Sequence, residues 1–414
     1  MKQVTYIVLG AGSRGTEYAS YALKHPELAK VIAVAEPRED YRQLLVEQHH
    51  ILLENATKDW HTLLERPKFA DAVIIATPDR LHTEPAISLA EKGYHILLEK
   101  PMAPSEAECR QIVRAALKNQ IIFSVCHVLR YTDYTQKLKE IIDSGMIGEI
   151  INIQQLEPVG YWHQAHSFVR GNWRNEKESS SMLLQKCCHD LDWLRYIMGA
   201  PCEAVHSFGS LRHFRKENMP PEAGDRCVEC SYEPKCPYSA KKIYQKFLQQ
   251  GRREWPLDVL TPDVTEDNVM DALQHGPYGR CVYACDNDVV DNQVVNLQFE
   301  GGRTASLTMT AFNEASGRKT RIFGTHGQLE GDGVIIRHFD FLTDTWQEFD
   351  TKPKEESAFS GHGGGDYRLM QQFITAVANA QQDLILSGPE ETLESHLMVF
   401  AAERARRENR VVSV

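Results

Sequence analysis

The chain has 414 residues, of which 42% are hydrophobic and 25% charged, a composition typical of globular proteins. Acidic residues outnumber basic residues by 57 to 46, and no segment concentrates lysine and arginine, so we expect neither a nucleic-acid nor a membrane-surface partner. No run of about 18 apolar residues is present, which argues against a membrane-spanning helix. A strand is predicted to begin at Val4, so we expect no signal peptide and a cytoplasmic protein.

Short apolar runs alternate with helical stretches in the first 125 residues. The predicted strands are Val4–Leu9, Val31–Ala35, Ala72–Ala76, His95–Leu98 and Ile121–Val125. Continuous apolar runs are typical of parallel strands that are buried on both faces. Their alternation with helices predicts an α/β fold over residues 1–125, a Rossmann domain with a doubly wound parallel sheet.

Residues 126–414 follow a different pattern. A single helix is predicted over Met182–Met198, and alternating apolar and polar residues on either side of Gly301-Gly302 predict an antiparallel hairpin. Further strands and two closing helices indicate an α+β domain with an open, mostly antiparallel sheet. A polar segment at about 214–287, which contains five of the ten cysteines, is interpreted as an insertion in this domain.

The sequence Gly10-Ala11-Gly12-Ser13-Arg14-Gly15 directly follows the first predicted strand and opens a helix. There the glycines allow a tight turn, close approach of a pyrophosphate and close helix–strand packing, and the helix N-terminus favours phosphate groups. We therefore predict that Gly10, Gly12, Ser13, Arg14 and Gly15 bind a dinucleotide. Glu36, at the end of the second strand, favours NAD because its carboxylate can bind the ribose hydroxyls, whereas Arg38 leaves NADP as an alternative.

Four further motifs follow in the order Ile75-Ala76-Thr77-Pro78-Asp79-Arg80-Leu81-His82, Leu98-Glu99-Lys100-Pro101, His127-Val128-Leu129-Arg130-Tyr131 and Ser144-Gly145-Met146-Ile147-Gly148. With the glycine loop, their order and spacing resemble the glucose-fructose oxidoreductase/inositol dehydrogenase/rhizopine catabolism (Gfo/Idh/MocA) family. The resemblance implies a sugar or polyol site between two domains, hydride transfer with a nicotinamide cofactor, and a homodimer or homotetramer. It also extends the predicted cofactor site to Thr77, Pro78, His82, Glu99 and Lys100.

Lys100 and His189 are the main predicted catalytic residues. Lys100 lies at the carboxyl end of a strand, where a cation can orient a substrate hydroxyl and stabilise negative charge. His189 lies on the predicted polar face of the 182–198 helix with Gln185 and Lys186, and its ordinary pKa suits a general base. In the family an aspartate precedes this histidine by four residues, whereas this chain has Gln185 there. Lys186 adds a cation and is the third predicted catalytic residue.

The predicted substrate contacts come from three segments of the chain. They are His127 and Arg130 in one family motif, Tyr161, Trp162, His163, Arg170 and Trp173 in an aromatic and basic loop, and His362 in a glycine-rich loop. Flat aromatic faces and guanidinium groups are typical of sugar pockets, and a packed structural loop is the alternative. The His-Gly-Gly phrase at His362 is similar to one in NAD-dependent glycosidases of the same superfamily.

Cys227, Cys230 and Cys236 form a C-x2-C pair with a nearby third thiol, and Cys281 is the predicted fourth ligand, with Cys285 as its alternative. This pattern predicts a structural zinc ion. An iron–sulfur cluster, which also uses four thiolates, and unrelated reduced thiols are the alternatives. We expect the insertion to need a metal in order to fold, because its sequence is polar.

The sequence therefore predicts an NAD(P)-dependent oxidoreductase that transfers a hydride between the cofactor and a hydroxyl of a sugar, sugar derivative or polyol. The sharpest alternative is a redox-neutral NAD-dependent glycosidase, favoured by Gln185, Lys186 and the loop at His362. A non-catalytic sensor that binds NAD and a sugar is a second alternative, because the superfamily includes a transcriptional repressor. The presence of Lys100 and His189 argues against the sensor.

Overall fold

The computed structural model describes residues 2–314, 316–352 and 361–414. Its N-terminal strands are β1 (Val4–Leu9), β2 (Ala29–Ala35), β3 (Ala56–Thr57), β4 (Ala72–Ile75), β5 (His95–Leu98) and β6 (Phe123–Val125). The helices between them are α1 (Ser13–Lys24), α2 (Glu39–His49), α3 (His61–Leu64), α4 (Thr83–Glu91) and α5 (Glu106–Lys118). The strands form a parallel six-stranded sheet in the order β3-β2-β1-β4-β5-β6. The order reverses between β1 and β4, so a ligand crevice is expected at the carboxyl ends of these strands.

A second sheet follows in the chain. Its strands are β7 (Ile150–Pro158), β8 (Cys202–Ser210), β9 (Asn292–Phe299), β10 (Thr304–Thr310), β11 (Lys319–Gly324), β12 (Gly327–Gly331), β13 (Ile335–Asp340), β14 (Thr345–Asp350) and β15 (Val412–Ser413). The nine strands are ordered β14-β13-β12-β11-β7-β10-β9-β8-β15, and every neighbouring pair is antiparallel except β7 with β10. The predicted fold class, a Rossmann sheet with a second, mostly antiparallel sheet, is therefore confirmed.

The helices after residue 126 are α6 (Asp133–Asp143), α7 (Tyr161–His163), α8 (Met182–Gln185), α9 (Cys188–Met198), α10 (Ala240–Gln249), α11 (Glu266–His275), α12 (Gly365–Asn379) and α13 (Pro389–Glu408). A π-helical turn, Gln164–Arg170, directly follows α7. Among the described residues, no helix is long and apolar enough to cross a membrane.

The predicted hairpin is present in β9 and β10. Val295, Leu297 and Leu307 are buried on one face, while Asn296 on the opposite face is exposed. The buried face packs into a core that also contains apolar residues of α9 and α13. One sheet face is thus covered, as the alternation predicts.

The prediction of one continuous helix over Met182–Met198 is wrong. Regular helix stops after Gln185 and resumes at Cys188, and Cys187 has φ −96° and ψ 6°. The break changes the direction of the side chains on either side. Gln185 and His189 therefore do not share one helix face.

The insertion has an apolar core of its own, which corrects the expectation that it lacks apolar mass. Phe214, Tyr244, Phe247, Val269 and Leu273 are buried together there. Buried residues of the π-helical turn, Ala165 and Val169, belong to the same core. Packing therefore already joins the insertion to the second domain.

Helix α12 lies within the range predicted for the second domain but packs against the first sheet. Its residues Leu369 and Phe373 share one buried core with Tyr6 and Val8 of β1. This places the start of α12 beside the glycine loop.

Candidate active site

The glycine loop after β1 has the geometry that a pyrophosphate requires. Gly10 has φ +88°, and a Cβ there would lie 2.7 Å from the carbonyl oxygen of Ala76. A Cβ on Gly15 would lie 1.9 Å from the carbonyl oxygen of Gly10, so helix α1 can approach the strand only with glycine at that position. A Cβ on Gly12 would meet only the Arg38 guanidinium, at 3.5 Å, so the backbone there remains open to a phosphate.

Glu36 closes the other end of the predicted cofactor site. Its buried carboxylate accepts hydrogen bonds from the Ala11 amide (2.8 Å) and from the Arg38 amide (3.0 Å) and Nε (2.8 Å). Burial by itself raises the pKa of Glu36, but these hydrogen bonds hold it below its ordinary value. The Glu36 carboxylate is therefore ionised at the end of β2 and pairs with the Arg38 guanidinium. The same guanidinium lies 3.9 Å from the centre of the Tyr41 ring.

Ion pairs that involve the buried carboxylates of Glu99 and Asp366 connect the glycine loop with Lys100 and with helix α12. Arg14 Nε donates to Glu99 Oε1 at 2.7 Å, and the same guanidinium pairs with Asp366. Glu99 Oε2 accepts from the backbone amide of Lys100 at 2.6 Å. Asp366 Oδ2 lies 2.9 Å from Nδ1 of His362. Arg14 and Glu99, predicted to contact the cofactor, thus bind each other and position Lys100 and His362.

Lys100 lies directly after β5, and its Nζ donates to the carbonyl oxygen of Gln185 at 3.0 Å. The Gln185 side chain points away from that contact, since its Nε2 lies within 2.7–2.8 Å of Asp79 Oδ2 and of the Ser179 and Ser180 hydroxyls. The prediction that Gln185 projects beside Lys186 and His189 is therefore wrong. Its amide instead joins the second domain to the loop after β4.

His82 has a structural position. It is buried, with Nε2 2.8 Å from the Thr77 carbonyl oxygen and Nδ1 3.1 Å from that of Pro101. The ring thus holds together the loops that follow β4 and β5, and it leaves no ring nitrogen for a cofactor. Thr77 and Pro78 follow β4 after Ala76, at the carboxyl edge of the first sheet, and their contact with a cofactor stays a prediction.

His189 lies in the first turn of α9, and its Nδ1 is buried without a hydrogen-bond partner in the described part of the chain. Its ring centroid is 5.8 Å from that of His127 and 5.8 Å from that of His362. Burial, and then the charge of Lys100, lowers the pKa of His189 well below its ordinary value. The imidazole is therefore neutral and can accept a proton.

Lys186 belongs to a group of charged side chains that the sequence does not reveal. Its Nζ lies 3.3 Å from Glu157 Oε1 on β7. Arg318 pairs with Glu157 at 2.9 Å and with Asp190 at 2.7 Å. Two acids thus balance the two cations. Asp190 is only four residues from Lys186, but Glu157 and Arg318 come from distant parts of the chain, and no local spacing could have linked them to it.

An aromatic wall formed by Trp162, His163 and Trp255 stands beside this group. The Trp255 ring lies 5.0 Å from that of His163 and 5.4 Å from that of Trp162. Burial, followed by the charge of Lys186, lowers the pKa of His163. Trp255 comes from the insertion, which therefore contributes to the site in a way that its sequence did not indicate. Tyr161 precedes Trp162 in the chain, and its ring lies 6.4 Å from that of Tyr238 in the insertion.

Two residues of the aromatic and basic loop that are predicted to contact the substrate have other surroundings. Trp173 packs on Phe168 with a centroid separation of 5.6 Å and is 40% exposed. Arg170 is buried and donates to the carbonyl oxygens of Arg280 and Tyr238, both at 2.7 Å. It anchors the insertion, so the prediction that Arg170 binds substrate is corrected.

The other correction concerns Arg130. Its buried guanidinium makes two hydrogen bonds of 2.8 Å to Asp192 and one of 2.5 Å to Glu391. His127 is fully buried, with Nδ1 3.6 Å from Asp192, and burial lowers its pKa to about 3. The Arg130 guanidinium is thus held by Asp192 and Glu391, and the His127 ring lies 5.8 Å from that of His189.

Replacing Asp192 by alanine should reduce the free energy of unfolding by about 3–5 kcal/mol, because it leaves the Arg130 guanidinium buried without its principal counter-charge. Asp286→Ala removes a 52% exposed carboxylate that pairs with Arg174, and the expected loss is below about 1 kcal/mol. Urea unfolding of both variants makes the comparison. Equal losses of unfolding free energy in the two variants would show that the buried Arg130–Asp192 pair contributes no more to stability than the exposed Arg174–Asp286 pair.

The four cysteines predicted as metal ligands, Cys227, Cys230, Cys236 and Cys281, line one cavity. Cys285 does not line it, and its Sγ lies 3.2 Å from the Cys281 carbonyl oxygen. Within the described residues, no group of three or more Cys, His, Asp or Glu side chains is arranged to hold a metal ion. The predicted zinc site is therefore not supported.

Two family models match the chain. One, described as the oxidoreductase family with an NAD-binding Rossmann fold, covers residues 4–127, and the other, its C-terminal alpha/beta domain, covers residues 139–414. The chain belongs to the Gfo/Idh/MocA family. The resemblance predicted from the motifs is confirmed.

Curated Gfo/Idh/MocA proteins with different names are similar to this chain. The 2,7-anhydro-N-acetylneuraminate hydratase of Mediterraneibacter gnavus is 31% identical over 51% of this chain and 54% of its own length. The myo-inositol 2-dehydrogenase of Thermotoga maritima is 30% identical over 49% of this chain and 58% of its own length. The similarity thus spans little more than half of each relative.

The solved structure of levoglucosan dehydrogenase in complex with NADH and levoglucosan matches 100% of this chain and 99% of that chain. The TM-score is 0.71 and the sequence identity 19%, so the likeness shows a shared fold.

Within this Gfo/Idh/MocA chain, Glu36→Ser should shift the cofactor preference towards NADP by about tenfold to a hundredfold. The change removes a carboxylate that repels a 2′-phosphate, and it frees the Arg38 guanidinium to bind that phosphate. A hydrogen bond to a charged group contributes about 1.5–3 kcal/mol, which corresponds to the expected change in the ratio of dissociation constants. Dissociation constants for NAD and NADP, measured by titration calorimetry, give the ratio. In the control Arg38→Ala, NADP should bind more weakly than in wild type. An unchanged ratio in Glu36→Ser would contradict the role of Glu36.

Proposed function

We propose that the protein is an NAD-dependent oxidoreductase that acts on a hydroxyl group of a sugar, sugar derivative or polyol. The observation that carries this proposal is the buried His189, whose Nδ1 has no hydrogen-bond partner among the described residues and whose pKa is lowered by burial and then by the charge of Lys100. A base and a nearby cation are the groups that oxidation of an alcohol requires.

Each residue has a distinct part in the proposed reaction. Lys100 hydrogen-bonds to the substrate hydroxyl and stabilises the negative charge that develops on its oxygen. His189 accepts the hydroxyl proton. Glu99 and Arg14 position Lys100 and the glycine loop, and the aromatic wall offers a flat face to a sugar ring. A bound NAD supplies the hydride acceptor.

The names of the relatives support this substrate class. One is a myo-inositol 2-dehydrogenase and another a levoglucosan dehydrogenase, 32% identical over 41% of this chain. Both names denote oxidation of a hydroxyl on a carbohydrate or cyclic polyol.

A redox-neutral reaction is the second candidate. Gln185 replaces the family's aspartate and its amide is bound to Asp79, whereas Lys186 adds a cation to the site. In such a reaction a hydroxyl is oxidised, the adjacent C–H loses its proton, and the leaving group is eliminated. Water then adds to the double bond, and the hydride returns to the substrate. The hydratases among the relatives support this candidate.

The decisive experiment counts reduced nicotinamide formed per substrate consumed, over a panel of sugars, polyols, aryl glycosides and anhydro sugars. One per substrate identifies a dehydrogenase. Product formation over many turnovers without net reduced cofactor identifies the redox-neutral reaction. Tight cofactor binding with neither result would overturn both proposals and favour a sensor.

The open face of the second sheet supports a homodimer or homotetramer, as the family resemblance implies. Ile151, Phe208 and Val294 are exposed large hydrophobic residues on its strands, and burying them would remove apolar area from water. Sedimentation equilibrium measures the oligomeric state directly, and a monomer at micromolar concentration would exclude a homodimer or homotetramer.

The pH dependence of kcat/KM tests the protonation state of His189. Burial, and then the charge of Lys100, lowers the pKa of His189 well below 6.5. A general base acts when deprotonated, and a lowered pKa keeps it deprotonated to lower pH. We therefore expect activity to remain constant as the pH falls to 6.5 and to decline only below that value. A decline centred at or above pH 6.5 would contradict the assignment.

A further inference from the structure

Lys100 binds a main-chain carbonyl group at a break between two helices. Its Nζ donates to the Gln185 carbonyl oxygen at 3.0 Å, and Gln185 is the last residue of α8. In a continuous helix that carbonyl would accept a hydrogen bond from the amide four positions later, which is that of His189. Regular helix resumes only at Cys188, so the carbonyl is one of the helix-terminal acceptors that a group outside the helix can bind. The break thus provides the acceptor for the lysine.

A lysine side chain needs such an acceptor to hold its charge in one place. A flexible stem of four carbons separates the ammonium group from the main chain. The main chain of Lys100 is fixed by Glu99, whose Oε2 accepts from the Lys100 amide at 2.6 Å. At the other end of the side chain, the Gln185 carbonyl oxygen accepts from Nζ. The position of that carbonyl therefore determines the position of the cation.

The side chain of Gln185 fixes its main chain. Nε2 lies 2.7 Å from Asp79 Oδ2, and 2.8 Å and 2.7 Å from the hydroxyl oxygens of Ser179 and Ser180. All four residues are buried, and in such an environment a hydrogen bond is stronger than in water. A carboxylate accepts hydrogen bonds, so the amide nitrogen of Gln185, and not its amide oxygen, must face Asp79. Asp79 therefore sets the orientation of the Gln185 side chain.

The loop after β4 also holds the segment that precedes α8. Arg80 Nε donates to the carbonyl oxygen of Glu178 at 3.0 Å, and its Nη2 donates to that of Glu176 at 3.1 Å. Asp79, next to Arg80 in the same 3-10 turn, binds the end of the segment at Gln185. Two neighbouring residues of one loop thus fix both ends of this segment of the second domain.

We propose that Asp79 is a positioning residue for Lys100, because through the Gln185 amide it fixes the carbonyl oxygen that binds the lysine Nζ. The inference rests on the proposed function, since it takes Lys100 as a catalytic residue. Asp79 acts through two successive hydrogen bonds. Its loss should therefore displace the cation of Lys100 without removing it.

Replacing Asp79 by leucine keeps a branched side chain of similar size and removes the acceptor. We expect kcat to fall by about tenfold to a hundredfold with little change in KM, since a displacement of about 1 Å in a catalytic group can cost a hundredfold. Asp79→Asn retains an oxygen that accepts from the Gln185 amide, and it should recover most of the lost kcat. Asp267→Leu is the matched control, because Asp267 is an exposed carboxylate on α11, and it should leave kcat unchanged.

A double variant separates positioning of Lys100 from a general structural effect. In a chain that already carries Lys100→Met, Asp79→Leu should lower kcat no further, because the cation that Asp79 positions is absent. A general structural effect would lower kcat by the same factor in both chains. Gln185→Met removes the same hydrogen bond from the other side and should give the same loss. It provides the test if circular dichroism shows that Asp79→Leu does not fold.

Two results would overturn this inference and leave the proposed function intact. They are a wild-type kcat in a folded Asp79→Leu or Gln185→Met chain, and an equal further loss of kcat when either change is added to Lys100→Met. If Lys100→Met itself kept the wild-type kcat, the catalytic role of Lys100 and this inference would both be overturned. Steady-state kinetics of the full chain on the substrate found in the panel therefore distinguish the two failures.

Discussion

Replacing Lys100 by methionine should lower kcat by about 10²–10³-fold, the usual effect of removing one donor that stabilises a developing oxyanion. Methionine keeps most of the aliphatic length, so the change removes the charge and the hydrogen bond to the Gln185 carbonyl oxygen with little loss of packing. The effect should occur in kcat more than in KM, because the negative charge on the substrate oxygen develops in the transition state. Steady-state kinetics on the substrate found in the panel measure both constants.

The expected loss holds for both candidate reactions, since each begins with oxidation of a hydroxyl. Lys118→Met is the control, because Lys118 is an exposed lysine at the end of α5, and its activity should equal that of wild type. NAD binding should change little in either variant. A loss smaller than about tenfold in Lys100→Met would remove Lys100 from the catalytic residues.

Replacing His189 by asparagine should lower kcat by about 10²–10⁴-fold, the range that general-base catalysis contributes. Asparagine preserves polarity at this buried position but cannot accept the hydroxyl proton at neutral pH. The pH profile of the remaining activity should no longer show the decline at low pH, because the imidazole that titrates there has been removed. Rate measurements between pH 5 and 9 in both proteins test this difference.

His275→Asn is a suitable control for this variant, since His275 lies on α11 with 72% of its side chain exposed. It should leave both the rate and the pH profile unchanged. If His189→Asn kept the wild-type acid limb, another group would be the base. His362, whose ring lies 5.8 Å from that of His189, would then be the next residue to replace.

The features that the sequence predicts correctly depend on local patterns. The apolar runs of β1 and β5 match the observed strands, because burial on both faces leaves a continuous signal. The alternation in β9 and β10 identifies the hairpin for a similar reason. The glycine loop is predictable because two close backbone contacts exclude any Cβ at Gly10 and Gly15.

The features that the sequence does not predict depend on contacts between distant residues. Arg318 pairs with Asp190, 128 positions away, and Arg14 hydrogen-bonds to Asp366, 352 positions away. No periodic pattern of residues in the sequence indicates such pairs. The helix ends after Gln185, whose side chain hydrogen-bonds to Asp79, 106 positions away, and the helical pattern on either side does not indicate this contact. Trp255 reaches the site only because the insertion folds against the π-helical turn.

The packing of α12 against β1 has a consequence for how the protein is made. Leu369 and Phe373 complete the core around Tyr6 and Val8, so the first sheet keeps apolar surface exposed until the ribosome has synthesised nearly the whole chain. A fragment ending at residue 127 would expose that surface permanently and should aggregate. The two ends of the chain therefore contribute to one apolar core, and we expect the nucleotide-binding domain to be unstable when it is expressed without α12.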